Sequence, residues 1–494
     1  MKKLAFNPYL PPWEFVPDGE PHVFDGRVYV YGSHDRRNGT EFCEDDYVVW
    51  SAPVDDLGNW RCEGISYRKE QDPLNGAPYD GVLPELAPPM AMGDRIHLLY
   101  APDVARGPDG RYYLYYALDF TNVISVAVGD SPAGPFQFLD FVRTADGRIP
   151  DVGQWFDPAI LSEESGNYLY YGFAPAFRFP GMEEKVIPGA QMVRLAGDMH
   201  TIISEPVCVA NGVDTAKGTC FEGHPFFEAS SIRKIGDLYY FVYSSLQGNE
   251  LCYGVAETPA GPFEYKGVIV SNGDLDYEGN ELAVNYTGNN HGGLVEIGEE
   301  VYIFWHRQTH GTGFCRQGCA DRVYIRPDGT IPQIEITSCG LNRGPLPAKG
   351  TYQSYIACHL TERDRTRVGH VVEPGPGQSL PELPREMPYI TEEENGAWEK
   401  GLKPYIANLR EGAVAGFKYL AFQGDETEIA LELRGTGTVQ VLLDSPDGMA
   451  AAELRHDSRE WTASKAALAK TSGVHAIYVK VISGQVDFAA FTIQ

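Results

Sequence analysis

Five residues able to carry charge or hold a cation occupy one recurring place in this sequence. Asp18, Asp103, Asp157, Glu228 and His291 each stand nine to eleven positions ahead of a short aromatic strand. Those strands read VYVYG (Val28–Gly32), YYLYYA (Tyr112–Ala117), YLYYGF (Tyr168–Phe173), LYYFVYS (Leu238–Ser244) and VYIFWH (Val301–His306). One such Asp alone reads as a turn carboxylate at the surface. Five in register read as a cavity on which they converge, because burying unpaired charge is costly and packing gives no reason to repeat it. Two carboxylates facing each other across a neutral, polar cavity can hydrolyse a glycosidic bond. One delivers a proton to the leaving oxygen, and the other, ionised, activates water. A third carboxylate beside the acid raises its pKa by like-charge repulsion.

The elements that must position these residues are short strands. Asp25-Gly26, Asp109-Gly110, Gly166-Asn167 and Gly236-Asp237 set a polar turn before four of the aromatic strands. A second strand follows each, often ending in Gly-Pro-Phe, as in Ser125–Phe136 and Cys252–Phe263. Five similar units at intervals of roughly 55 to 85 residues imply a radial array. The expected fold is all-β: a five-bladed β-propeller over residues 1–345 followed by a β-sandwich. The tyrosine-rich pattern stops near Pro345, and VVEPGPGQSLPELPREMP (371–388) is rich in Pro, Gly and Glu. Residues 346–403 therefore read as a linker or wrapping segment. Alternating segments such as EIALELRG and TVQVLLDS return over 404–494, which reads as a jelly-roll-like accessory domain.

Composition narrows the function. A formal charge of −28 argues against nucleic acid and an anionic membrane surface and suits a neutral ligand. The first residues, MKKLAFNPYLPP, lack an apolar stretch of the kind that directs secretion. Nine Cys without a regular framework suggest reduced thiols, so a cytoplasmic location is expected. The spacings of Cys315 with Cys319, and of Cys220 with His224, are wrong for a paired zinc site, which leaves buried thiols as the reading. No P-loop, dinucleotide fingerprint or nucleophile elbow occurs, and no organic cofactor is expected.

Several motifs in order resemble glycoside hydrolase family 43. They are PDGEPHVFDGRVYVYGSHD (Pro17–Asp35), YAPDVARGPDGRYYLYYALD (Tyr100–Asp119), WFDPAIL (Trp155–Leu161), FFEASSIRKIGDLYYFVYSS (Phe226–Ser245) and NNHGGLVEIGEEVYIFWHR (Asn289–Arg307). The resemblance implies a five-bladed propeller that hydrolyses with inversion, mostly exo-acting on β-D-xylosides or α-L-arabinofuranosides of plant-derived oligosaccharides. Carried over by motif, Asp18 resembles the general base, Glu228 the general acid, and Asp157 the carboxylate that tunes the acid. His291 resembles an axial histidine that helps hold a metal ion, often calcium. Asp18 is followed by Gly19-Glu20-Pro21 where the family usually has Pro, so Glu20 is a rival base. Asp103 looks structural.

The resemblance also implies substrate contacts at Trp155, Phe156 and Arg316, the last paired with Gln317; His34 and Asp35 stand near the first inner strand, as does His22. Residues 404–494 resemble the family 6 carbohydrate-binding modules, through PYIANLREGAVAGFKYLAF and SGVHAIYVKVISGQVDFAAFTI. Two alternatives stay open: a propeller glycosidase of another specificity, such as a galactosidase, or a non-catalytic carbohydrate-binding protein.

Overall fold

Alternating Tyr, Phe and Val residues build strands that are apolar on both faces, and such strands need neighbours on both sides. The computed structural model describes residues 4–86, 96–178, 185–363, 387–396 and 399–494, and its first part meets this need with five sheets around an axis. The first blade is a meander of Glu20–Phe24, Arg27–Tyr31, Tyr47–Pro53 and Arg61–Tyr67. Its first turn, Asp25-Gly26, has both residues left-handed (φ 47° and 76°), the backbone that two-residue hairpins favour. The other blades begin with Leu99–Arg106, Ala159–Glu163, Phe226–Ile235 and Leu294–Ile297. Each of these first strands touches the first strand of the next blade, all the way around the ring. The aromatic strands are thus second in their blades and fill the space between sheets.

The ring is held by a repeated contact. Tyr31, Tyr115, Tyr170 and Tyr240, each on the second strand of its blade, donate hydroxyl hydrogen bonds of 2.5 to 3.0 Å to the carbonyls of Pro132, Met199, Pro259 and Gly329. Every acceptor lies in a turn beyond the donor's own blade, so a buried tyrosine satisfies its hydroxyl and ties two sheets together. At the seam, Gly19 bridges Gly292, and the N-terminal segment runs along the fifth blade through Tyr9 N–H to Gly318 O and Asn7 N–H to Ser338 O.

The second body corrects one boundary. Leu346–Pro347, Gly350–Gln353, His359–Thr361 and Tyr389–Glu394, all inside the expected linker, are strands of the same nine-stranded, sandwich-like sheet as Leu402–Arg410 and Ser472–Ile493. They are short and do not pair with each other: Gly350–Gln353 pairs with Ser472–Ile493, Leu346–Pro347 and His359–Thr361 with Val414–Gln423, and Tyr389–Glu394 with Leu402–Arg410, so no local alternation announces them. Most of the Pro-rich stretch, 371–386, lies outside the described residues. Among the described residues the helices are single 3₁₀ turns.

Candidate active site

The expected residues converge where the first strands open at one end of the axis. Asp18 (φ 57°) and Asp157 (φ 45°) stand just before their strands in the left-handed region, and Ala229 (φ 66°) follows Glu228 in a bulge that interrupts the pairing of Phe226–Ile235. Non-glycine residues held there cost roughly 1 to 3 kcal/mol each, and such strain collects at functional sites. Here it turns three carboxylates into one cavity of about 620 Å³, lined also by His291 and Arg316. Two glycines allow the close approach: a Cβ on Gly292 would fall 2.0 Å from Phe304 O, and one on Gly293 2.6 Å from Glu20 Oε2.

Asp18 is ionised by design of its surroundings. Burial alone would raise its carboxyl, but the Arg316 guanidinium, with Nη1 at 2.9 Å from Oδ1 and 3.1 Å from Oδ2, brings it below the ordinary value. Arg316 is itself fixed by Asp35, whose two oxygens take Nε and Nη2 at 2.9 Å. The Asp18 N–H donates to His306 Nδ1, and the other ring nitrogen reaches Asn289 O, so His306 is a neutral ring, its pKa pushed down to about 3 by burial.

Asp157 is the opposite case. Burial raises it well above the carboxylate range, and the charges of Glu228 and Asp18 add to the effect, against one hydrogen bond from Ala229 N–H at 2.9 Å. Asp157 is thus held toward its protonated form beside Glu228, and the two carboxyls titrate as a coupled pair. Glu228 is the more exposed member. His291 Nδ1 sits 3.9 Å from Asp18 Oδ1 and 3.8 Å from Asp157 Oδ2.

Other expectations shift. Trp155 does not line the cavity. It stacks on Tyr171 at 3.8 Å, while the next residue, Phe156, faces inward. The same alternation sends Gln317 to Pro12 O and leaves Arg316 in the cavity. His34 is taken by Glu14 and Asp46 O, and Asp35 acts through Arg316 rather than on substrate. His22 and Asp103 pair at 2.6 Å below the cavity, where Asp103 also accepts from Ile160 N–H, a supporting role. The rival base Glu20 is bound by Arg233 and Ser231 under the floor. Cys220 is exposed, and Cys252 rather than Cys220 comes beside His224, with Glu250. Sequence reasoning passed over Phe42, Tyr100, Phe173, Phe177, Phe227 and Gln308, which complete the wall from loops and strand ends.

Two donor atoms face each other below the carboxylates. Glu20 Oε1 is buried with no hydrogen-bond partner, and it lies 3.9 Å from His291 Nε2. Burial lowers His291 to about 4, which leaves a neutral ring nitrogen, and pushes Glu20 up to about 8 despite Arg233, so a cation between them would displace the Glu20 proton.

The profile of glycosyl hydrolases family 43 matches residues 82–331. A xylosidase/arabinosidase of Thermoclostridium stercorarium is 45% identical over 100% of this chain and 99% of its own length. A xylosidase/arabinosidase of Bacteroides ovatus is 31% identical over 66% of this chain and 97% of its own. Among solved structures, a β-xylosidase/α-arabinofuranosidase from a compost microbial metagenome shares the fold at TM-score 0.51 and 24% identity, covering 68% of this chain and 98% of that one. With the three carboxylates in one cavity and a relative this similar along its whole length, the chain belongs to glycosyl hydrolases family 43 and is a glycosidase.

Proposed function

We propose that the protein is an inverting, exo-acting hydrolase of β-D-xylosides or α-L-arabinofuranosides from plant-derived oligosaccharides. The observation that carries this is the electrostatic contrast in one cavity: Asp18 held below the ordinary value by Arg316, and Asp157 pushed well above it by burial and the charge of Glu228. The full-length likeness to a xylosidase/arabinosidase supports the pentose. Asp18 orients a water and takes its proton as the water attacks the anomeric carbon. Glu228 passes its proton to the leaving oxygen, and Asp157 beside it keeps Glu228 protonated. The phenylalanine-rich wall excludes water and offers flat apolar surface to the sugar ring. Calcium held by Glu20 and His291 would add fixed positive charge under the site. The nine thiols, all unpaired, support a reducing, cytoplasmic setting.

The test is hydrolysis of 4-nitrophenyl glycosides by the wild type and by Glu228→Gln, with product configuration followed by NMR. Release from β-D-xyloside or α-L-arabinofuranoside with the inverted sugar formed first is expected. The variant should lose about 10²- to 10⁴-fold on substrates with poor leaving groups and less on the activated ones. Activity confined to a galactoside, or a retained configuration, would sink this reading. The cation is tested by calorimetry: added calcium should raise Tm in the wild type and not in Glu20→Gln.

A further inference from the structure

Among the described residues, the second body meets the loops beside the cavity at Glu392 and Ile390. Glu392 lies on Tyr389–Glu394, and its carboxylate, 4% exposed, takes Arg37 on one oxygen and His310 on the other. Beside it, His310 N–H donates to Ile390 O at 2.9 Å. These two propeller residues lie in the two loops, 32–46 and 309–315, that carry Phe42 and Gly313 into the cavity wall.

His310 (φ 58°) starts the turn closed by Thr309, whose N–H and Oγ1 both reach Cys315 O at 2.9 Å. That turn carries Gly313 into the cavity wall and leads directly to Arg316. Arg37 lies in the other loop, five residues ahead of Phe42, which enters the wall. The loops meet where Phe42 packs edge-on against Phe314 at 4.8 Å, and the Arg316 guanidinium lies 4.7 Å over the Phe42 ring. A buried carboxylate with a donor from each loop thus fixes their separation, and with it the aromatic wall and the guanidinium that holds Asp18.

The geometry points to Glu392 as a positioning residue for the substrate cavity, and to the second body as a working part of the active site through it. This rests on the cavity being the glycosidase site proposed above. Its neighbour Glu393 gives the control, because among the described residues its side-chain hydrogen bonds go to Arg434 and Trp461, both within the second body.

The test compares Glu392→Ala, Glu392→Gln and Glu393→Ala in the full chain by steady-state kinetics and by amide hydrogen exchange without substrate. In Glu392→Ala, exchange in 36–43 and 309–316 should quicken about tenfold. Its KM should rise about tenfold, with kcat changed much less, because loosening the wall weakens sugar binding before chemistry. Glu392→Gln, which keeps a hydrogen-bonding side chain between the loops, should recover most of both. Glu393→Ala should match the wild type in both. Unchanged exchange and KM in Glu392→Ala, or equal changes in Glu393→Ala, would overturn the proposal. Exchange is read without any sugar, so its failure is separate from a failure to identify the substrate.

Discussion

The division of labour among the acids is set by one guanidinium beside Asp18 and by the crowding of Asp157 and Glu228, and both can be read from a pH–rate profile. The base works only when ionised, so the acidic limb of kcat/KM follows the Asp18 carboxyl, whose folded value lies below the ordinary one because of Arg316. Arg316→Met removes that cation and raises the carboxyl, so the acidic limb should move to higher pH by about 1 to 3 units. The basic limb follows loss of the proton held by Asp157 and Glu228. Asp157→Asn removes one of the two like charges while leaving an oxygen for Ala229 N–H. Glu228 then releases its proton more readily, and the basic limb should move to lower pH. Limbs that stay in place in both variants would mean that other groups carry the proton traffic.

At the scale of elements, the tyrosines that mark the repeat also join the blades. Tyr170→Phe leaves Pro259 O without its donor at a blade contact and should cost about 1 kcal/mol in denaturant unfolding. Tyr168→Phe loses only bonds to Ser165 inside its own turn and should cost less. This double duty is why the propeller was legible in sequence: hairpin turns, strand period and ring contacts all demand the same residue types at the same places. The acids were legible for the same reason, since each sits at a fixed offset from its strand. What alternation leaves open is its phase. Trp155 and Phe156, or Arg316 and Gln317, are equivalent in pattern, and only the path of the turn into the strand decides which faces the cavity. Phe42 and Phe177 come from loops, where no period exists to be read.

At the scale of the whole molecule, the two bodies are joined by buried charge. Arg307 of the propeller, 2% exposed, donates to the carbonyls of Tyr355 and Ala357 in the second body. Lys418 crosses the other way, from Val414–Gln423 to Asp274 at 3.3 Å and Glu335 at 2.7 Å. Neither contact follows a sequence period, so the boundary near 404 was drawn where the visible alternation resumed rather than where the chain changes partners. Burial pushes the Asp274 carboxyl up to about 6 even with Lys418 beside it. Lys418→Met strips that compensation, and breaking a buried pair from one side costs about 3 to 5 kcal/mol. A carboxyl raised above its unfolded value lends stability at low pH and loses it as pH rises through the folded value. Removing the cation raises Asp274 further, so the deficit against wild type should be small near the unfolded carboxylate range and should grow through and above pH 6. Asp274→Asn in the Lys418→Met background should recover much of it. Urea unfolding across pH decides the matter: a deficit that does not change with pH would assign Lys418 to the packing of its stem, and one that grows makes its charge the tie between propeller and sandwich.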